Sequence, residues 1–306
     1  MDAAAALTPS SATGQFSRSR AGRAVPIVDD ERPRNRHGHR RQERTMERIE
    51  SKDGTQIAFD QLGEGPPIIV VAGAACDRGV DAALAGALAR HFTVLNYDRR
   101  GRGDSGDTQP YAVAREVEDL HALLEAAGGS AGVLGLSSGA ALAAEAAASG
   151  LPVTRLVMWE PPFSVDPDGP RRAAEYTGRL DELLGVDDRD GALAHFMRQV
   201  GMPDQAIDGM RHSPYWQAGL SLAPTLAYDA AIMGDSTVPA DRFGRIAVPT
   251  LVLAGSRSPA FLIGAARRAA AAVPGAGFDV LDGQDHNVAP EAITPVVAEF
   301  AGRRRS

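Results

Sequence analysis

One cysteine in 306 residues, Cys76, leaves no partner for an intramolecular disulfide and excludes cysteine-rich zinc or iron–sulfur sites. No apolar run approaches the roughly 18–20 residues that a membrane-spanning helix needs. Acidic residues outnumber basic ones, 39 to 32. The formal net charge is −7, which argues against a whole-protein binder of nucleic acid or of anionic membranes. There is a single lysine against 31 arginines, and alanine is abundant; that balance reads as GC-rich coding, so no function is read into the arginines. What is present is ordinary for a globular enzyme: 44% hydrophobic and 23% charged residues, enough chain for a sizeable core, either as two domains or as one α/β domain with an insertion.

Residues 1–45 differ from the rest. They are rich in Ser, Arg, Pro and Gly, lack helical or strand periodicity, and carry nine arginines against five acids. The run Ala3 to Leu7 is too short for a secretory signal. The segment reads as a disordered tail, or as an extension preceding a natural start at Met46. A basic address or nucleic-acid patch over Arg32 to Arg44 is the sharper alternative, but scattered charge of this kind is usually a solvated tail.

From Met46 onward the pattern is ordered. Thr55 to Phe59 alternates like an edge strand, and Ile68 to Ala72 is a short β-branched run expected of a strand buried on both faces. A helix over Leu84 to Arg90, a strand over Phe92 to Tyr97, and a helix over Ala112 to Ala127 follow. Next come a strand at Gly132 to Leu136, an alanine-rich helix at Ala140 to Ala148, and a strand at Arg155 to Trp159. Thr250 to Ala254 and Phe278 to Leu281 read as the last strands, before a helix near Thr294 to Ala301. Alternation of strands and helices predicts a parallel sheet with right-handed crossovers. Residues 163–243 break the alternation with helical patterns only (Arg171 to Leu184, Gly191 to Val200, Leu222 to Met233). They read as a helical cap over the strands' C-terminal edge, where open α/β sheets bind ligands. The α/β core is then 46–162 and 244–306.

Gly135-Leu136-Ser137-Ser138-Gly139 matches G-x-S-x-G, a weak string in a chain with 33 glycines. Its context is stronger: it lies where a buried strand passes into a helix, as a nucleophile elbow requires. The glycines allow backbone and helix to approach, and Ser137 would project at the helix N-terminus. A serine hydroxyl needs a base. Of seven histidines, His286 alone follows the last strand, on a loop at the sheet's C-terminal edge and in the chain order serine, acid, histidine. The acid is less direct. The loop Gly255 to Pro259 holds no carboxylate, whereas Glu160 ends the strand beside the elbow strand and could orient the histidine. Asp285 and Asp282 remain alternatives. Backbone N–H groups of Ser138 and of Ala74, in the loop after the first buried strand, are the candidate oxyanion donors.

Cys76 reads as a small packed hydrophobe, since no histidine adjoins it. Gly101 to Gly106 satisfies G-x-G-x-x-G, but Gly106 to Pro110 continues as turn where a dinucleotide site needs a helix, so no nicotinamide or flavin cofactor is expected. In the insertion, Phe196, Met197, Met202, Met210, Tyr215, Trp216 and Tyr228 could line an apolar pocket, although residues of this kind also simply form a core.

Together, Tyr97-Asp98-Arg99-Arg100-Gly101-Arg102-Gly103-Asp104-Ser105, the elbow at Ser137, Pro249 to Gly255 and the His286 loop closely resemble the α/β-hydrolase superfamily over residues 48–302. The resemblance implies an eight-stranded, mostly parallel sheet, a helical cap before the last two strands, and a serine, a strand-tip carboxylate and a histidine at Ser137, Glu160 and His286. Two departures stand out. The oxyanion loop begins Ala72-Gly73 where the family has His-Gly, and Ser258 occupies the usual acid position. The serine argues against dehalogenase or epoxide-hydrolase chemistry, which uses an aspartate nucleophile. The expectation is a cytoplasmic, cofactor-free and metal-free serine hydrolase acting on a small, apolar carboxylic ester or related acyl compound. It would bind neither nucleic acid nor membrane. C–C, amide or thioester hydrolysis and perhydrolysis use the same constellation. A non-hydrolytic receptor or scaffold is the alternative that the missing acid at Ser258 favours.

Overall fold

The computed structural model describes residues 45–302, so the readings made on the tail before Thr45 lie outside the described residues. Eight strands form one sheet: β1 (Thr45–Glu50), β2 (Gln56–Leu62), β3 (Pro67–Val71), β4 (Thr93–Tyr97), β5 (Ala131–Leu136), β6 (Val153–Trp159), β7 (Thr250–Gly255) and β8 (Gly277–Leu281). Their order across the sheet is β1-β2-β4-β3-β5-β6-β7-β8. The first two are antiparallel, and everything from β4 to β8 is parallel. Where pairing is parallel both faces are covered, which is why β3 and β5 read as continuous apolar runs while β2 alternates.

The pleat sends neighbouring residues to opposite layers. Ile69, Val71, Val133, Met158 and Val252 pack under α2 (Val113–Ala126), α3 (Ser138–Ala148) and α10 (Ala260–Ala272). Ile68, Val70, Leu134, Val157 and Leu253 pack under α1 (Ala82–Leu88) and α11 (Pro290–Gly302). The result is a three-layer α/β/α core, as the alternation implies. In α3, nine of eleven residues are buried and most are alanine, so this central helix seats close to the sheet without large side chains. Sequence patterning gives no element at β1 or α10. The first is a short edge strand paired only with β2, and the second is an alanine run with weak contrast between its faces.

Between β6 and β7 the chain is helical: α4 (Gly169–Gly185), α5 (Arg189–Gln199), α6 (Asp204–Met210), α7 (Pro214–Leu222), a 3-10 turn (Ala223–Thr225), α8 (Leu226–Met233) and α9 (Ala240–Phe243). The insertion has its own apolar cluster, centred on Leu180, Leu193, Ile207, Trp216 and Leu226. Ala74 and Ala75, from the loop after β3, pack against that cluster. Helix α8 spans both layers, with Leu226 and Ala230 in the insertion cluster and Ile232 in the main core. Among the described residues, no helix is long and apolar enough to cross a membrane.

Candidate active site

Ser137 stands between the end of β5 and the start of α3 with φ 54° and ψ −124°, a conformation that a non-glycine residue adopts only where its surroundings hold it. The two motif glycines explain how the turn closes. A Cβ at Gly135 would lie 2.5 Å from Ala140 Cα, and one at Gly139 would strike the carbonyls of Val71 and Ala72. Only glycine permits that approach of α3 to β5 and β3. The Ser137 N–H donates to the Trp159 carbonyl at 2.9 Å, which pins the elbow to the tip of β6. The amide of Ser138, first in the helix, has no carbonyl behind it in the helix to bond.

Glu160 follows Trp159 directly. Its backbone is left-handed, with φ 44°, and its N–H donates to Leu253 O at 3.0 Å, extending the β6–β7 pairing by one residue. The turned-in side chain is fully buried. Oε1 accepts from the Gly255 amide at 2.7 Å, and Oε2 lies 2.7 Å from His286 Nδ1. Burial alone would raise the Glu160 pKa. Hydrogen bonds from His286 and the Gly255 amide outweigh it and hold the carboxyl below its ordinary value, so it is ionised at neutral pH. With Nδ1–H donating to that carboxylate, Nε2 is left as the proton acceptor of the ring. The His286 side chain is 40% exposed, against 0% for Glu160.

The loop that carries His286 is held twice more. Trp159 Nε1 donates to the His286 carbonyl at 3.0 Å, and Arg257 N–H donates to the Gln284 carbonyl at 2.8 Å. Gly255 makes the approach possible, since a Cβ there would sit 2.6 Å from the Gln284 carbonyl carbon. The alternative acids are engaged elsewhere. Asp285 Oδ1 accepts from the Asn287 amide and Asp282 Oδ1 from the Ser256 hydroxyl. The structure thus brings Glu160, not either aspartate, to His286. Among the described residues, no hydrogen bond joins Ser137 Oγ to His286.

Ala74 and Ser138 flank the elbow. A Cβ at Gly73 would meet Ser137 Cβ at 3.1 Å, so the loop after β3 runs directly beside the serine. Cys76 lies two residues beyond Ala74. Its thiol donates to the Ala74 carbonyl, and burial pushes its pKa up to about 12, which leaves it protonated and inert.

The arginines after β4 serve the fold: Arg99, Arg100 and Arg102 are all buried and paired. Arg99 clasps Glu116 through two bonds of 2.7 and 2.8 Å, Arg100 clasps Asp119, and both Arg99 and Arg102 reach Asp229. The G-x-G-x-x-G stretch is the turn that presents them, closed by a Gly101 N–H to Gly106 carbonyl bond of 2.9 Å, and the next helix opens only at Val113. The proposed pocket residues are mostly core. Trp216 is buried, Phe196, Met197, Met202 and Met210 pack on the insertion's own cluster, and Tyr228 stacks on Tyr111 at 3.8 Å. Tyr215 is 82% exposed. A cavity of about 200 Å³ is lined by residues that include Phe163, Ala173, Gln199 and Phe261.

The profile of the Alpha/beta hydrolase family matches residues 68–299. Among solved structures, an alpha/beta hydrolase from Sphaerobacter thermophilus DSM 20745 is 49% identical, covers 83% of this chain and all of its own, and superposes with a TM-score of 0.76. A hydrolase from Pseudomonas aeruginosa PA01 is 26% identical over 85% of this chain and 99% of its own, with a TM-score of 0.69. An esterase from Rhodococcus sp. ECU1013 shares the fold at 21% identity and a TM-score of 0.62, over 83% of this chain and 98% of its own.

Proposed function

Because the chain belongs to the alpha/beta hydrolase family, we propose that it is a serine hydrolase that cleaves a small carboxylic ester or related acyl compound through an acyl-enzyme. The observation that carries this reading is the 2.7 Å contact of His286 Nδ1 with the buried, ionised Glu160, together with a serine held in a strained strand-to-helix turn. A surface histidine has no need of a fully desolvated carboxylate, and burying one without purpose is costly. The missing acid at Ser258, which favoured a receptor, loses its force because Glu160 supplies a carboxylate to His286.

In this mechanism Ser137 Oγ attacks the acyl carbon while its proton passes to His286 Nε2. The oxyanion accepts hydrogen bonds from the Ala74 and Ser138 N–H groups. Collapse of the tetrahedral intermediate breaks the ester C–O bond, and the leaving alcohol takes the proton from His286. Water then gives a proton to the same nitrogen and attacks the acyl-enzyme, releasing the carboxylic acid and the free serine. Glu160 stays ionised throughout, orienting the ring and stabilising the imidazolium. Residues 163–243 act as the cap that covers the acyl group and excludes water. The test is rapid mixing with p-nitrophenyl butyrate. A burst of one nitrophenolate per enzyme, with one butyryl group on the Ser137 peptide, is expected; undiminished hydrolysis by Ser137→Ala would contradict it.

A further inference from the structure

Asp229 lies on α8 of the helical insertion, yet its carboxylate points into the sheet domain's loops and is 5% exposed. Oδ1 accepts from Ser138 Oγ at 2.8 Å, from Arg99 Nη1 at 2.8 Å and from Arg102 Nη2 at 3.0 Å. Oδ2 accepts from Arg102 Nη2 at 2.8 Å. The same two guanidiniums continue to the loop after β3. Arg102 Nη1 donates to the Gly73 carbonyl at 2.6 Å and to the Cys76 carbonyl at 3.2 Å, and Arg99 Nη1 reaches the Ala72 carbonyl at 3.4 Å. Burial would protonate Asp229, but Arg102, Arg99 and the Ser138 hydroxyl outweigh it and keep the group ionised.

We propose that Asp229 is a positioning residue that sets both backbone N–H groups of the oxyanion hole from one carboxylate, and so couples the insertion to catalysis. The inference rests on the reading of Ser137 as nucleophile. The geometry is specific on one side because the Gly73 carbonyl and the Ala74 N–H belong to one planar, trans peptide unit and point in opposite directions. Gripping that carbonyl from the interior turns the Ala74 N–H outward, in a loop whose Gly73 lies against Ser137. On the other side, the Ser138 hydroxyl ties the first residue of α3 to the same oxygen, which fixes the orientation of its own N–H. Glu116 holds Arg99 from behind through two further bonds. Tyr228, the neighbour of Asp229, donates to Asp107 Oδ2 at 2.6 Å and fastens α8 to the core at that level.

The test compares wild type, Asp229→Asn, Ser138→Ala and the double variant, measuring kcat and KM on p-nitrophenyl butyrate, inhibition by an alkyl trifluoromethyl ketone, and melting temperature. The ketone forms a serine adduct that bears the oxyanion, so it reports on the hole directly. Loss of a whole oxyanion donor costs about 100- to 1,000-fold in kcat. Misorienting the hole through Asp229→Asn is expected to lower kcat and ketone affinity together by roughly 30-fold, with KM changing less than about threefold. Ser138→Ala should cost roughly fivefold alone and almost nothing further in the Asp229→Asn background, because its effect passes through Asp229. A lowered melting temperature with wild-type kcat and ketone affinity would overturn the proposal and leave Asp229 a mere clamp. Losses that multiply in the double variant would overturn it too. If Asp229→Asn does not fold, Ser138→Ala decides alone, and wild-type values in that variant overturn it. Failure of the underlying reading looks different: wild type itself would then match Ser137→Ala in activity and ketone binding.

Discussion

The indole N–H of Trp159 donates to the backbone carbonyl of His286 at 3.0 Å, while the carbonyl of the same tryptophan accepts the N–H of Ser137 at 2.9 Å. One strand-tip residue therefore fixes the spacing of two loops that are 149 positions apart in the chain, and Glu160 follows it immediately. Trp159→Phe removes the bond to the histidine loop and leaves a cavity where the buried indole was. The lost neutral hydrogen bond is worth about 1 kcal/mol net, so kcat/KM is expected to fall roughly fivefold, and the cavity lowers the melting temperature as well. Unchanged kinetics would mean the His286 loop is set by its other contacts.

Glu160→Gln should preserve the shape of the site while presenting the wrong hydrogen-bonding partner to Nδ1. A loss of about 1,000-fold or more in kcat is expected, as for other histidine–carboxylate pairs. Near-wild-type turnover would remove Glu160 from the mechanism. Because its folded pKa is depressed, the stability it contributes is present at neutral pH and is lost as pH falls below the usual carboxylate range of about 4. Acid melting curves of wild type and Glu160→Gln should therefore converge at low pH.

Gly135→Ala places a methyl 2.5 Å from Ala140 Cα and from the Gly139 carbonyl, both of them backbone. Neither can step aside as a side-chain tip would, so the elbow must open. Urea unfolding is expected to show a loss of about 3 kcal/mol. A stability equal to wild type would mean that the β5–α3 turn is softer than its geometry implies.

Asp81 precedes α1 with its Oδ2 buried and without a hydrogen-bond partner among the described residues. Burial, with Asp77 adding, pushes its pKa up to about 7. The folded state then binds a proton between about pH 4 and 7 that the unfolded state does not, so its contribution to stability is full below about 4 and is lost as pH rises through 7. Asp81→Asn should melt above wild type at pH 8, with the gap shrinking toward pH 5. A gap of constant size across that range would show that the carboxyl is not titrating there.

Much of this was legible in the sequence, for physical reasons. Parallel strands buried on both faces must be continuous apolar runs, and β3, β5, β6 and β7 are; the elbow glycines are enforced by backbone contacts below van der Waals distance. Glu160 could be singled out because a carboxylate at a buried strand tip needs a partner. The arginine network was not legible. Arg99 and Arg102 looked like compositional bias, and Asp229, their shared partner, lies 127 positions beyond Arg102 in a helix with no motif. A signal existed in retrospect: a glycine-punctuated pair of arginines directly after a buried strand cannot be far from the interior, and a buried guanidinium must have its carboxylate. The aromatic and methionine residues of the insertion left core and pocket open, because helical spacing of large apolar groups marks a core as readily as a pocket.

The account turns on whether Ser137 is activated by His286. Treating wild type, Ser137→Ala and His286→Ala with a fluorophosphonate probe and mapping the modified peptide tests this directly. The account predicts rapid, stoichiometric labelling at Ser137 that disappears in Ser137→Ala and is slowed by orders of magnitude in His286→Ala. Absence of labelling in the folded wild type, or labelling at Ser137 that proceeds equally fast without His286, would contradict it.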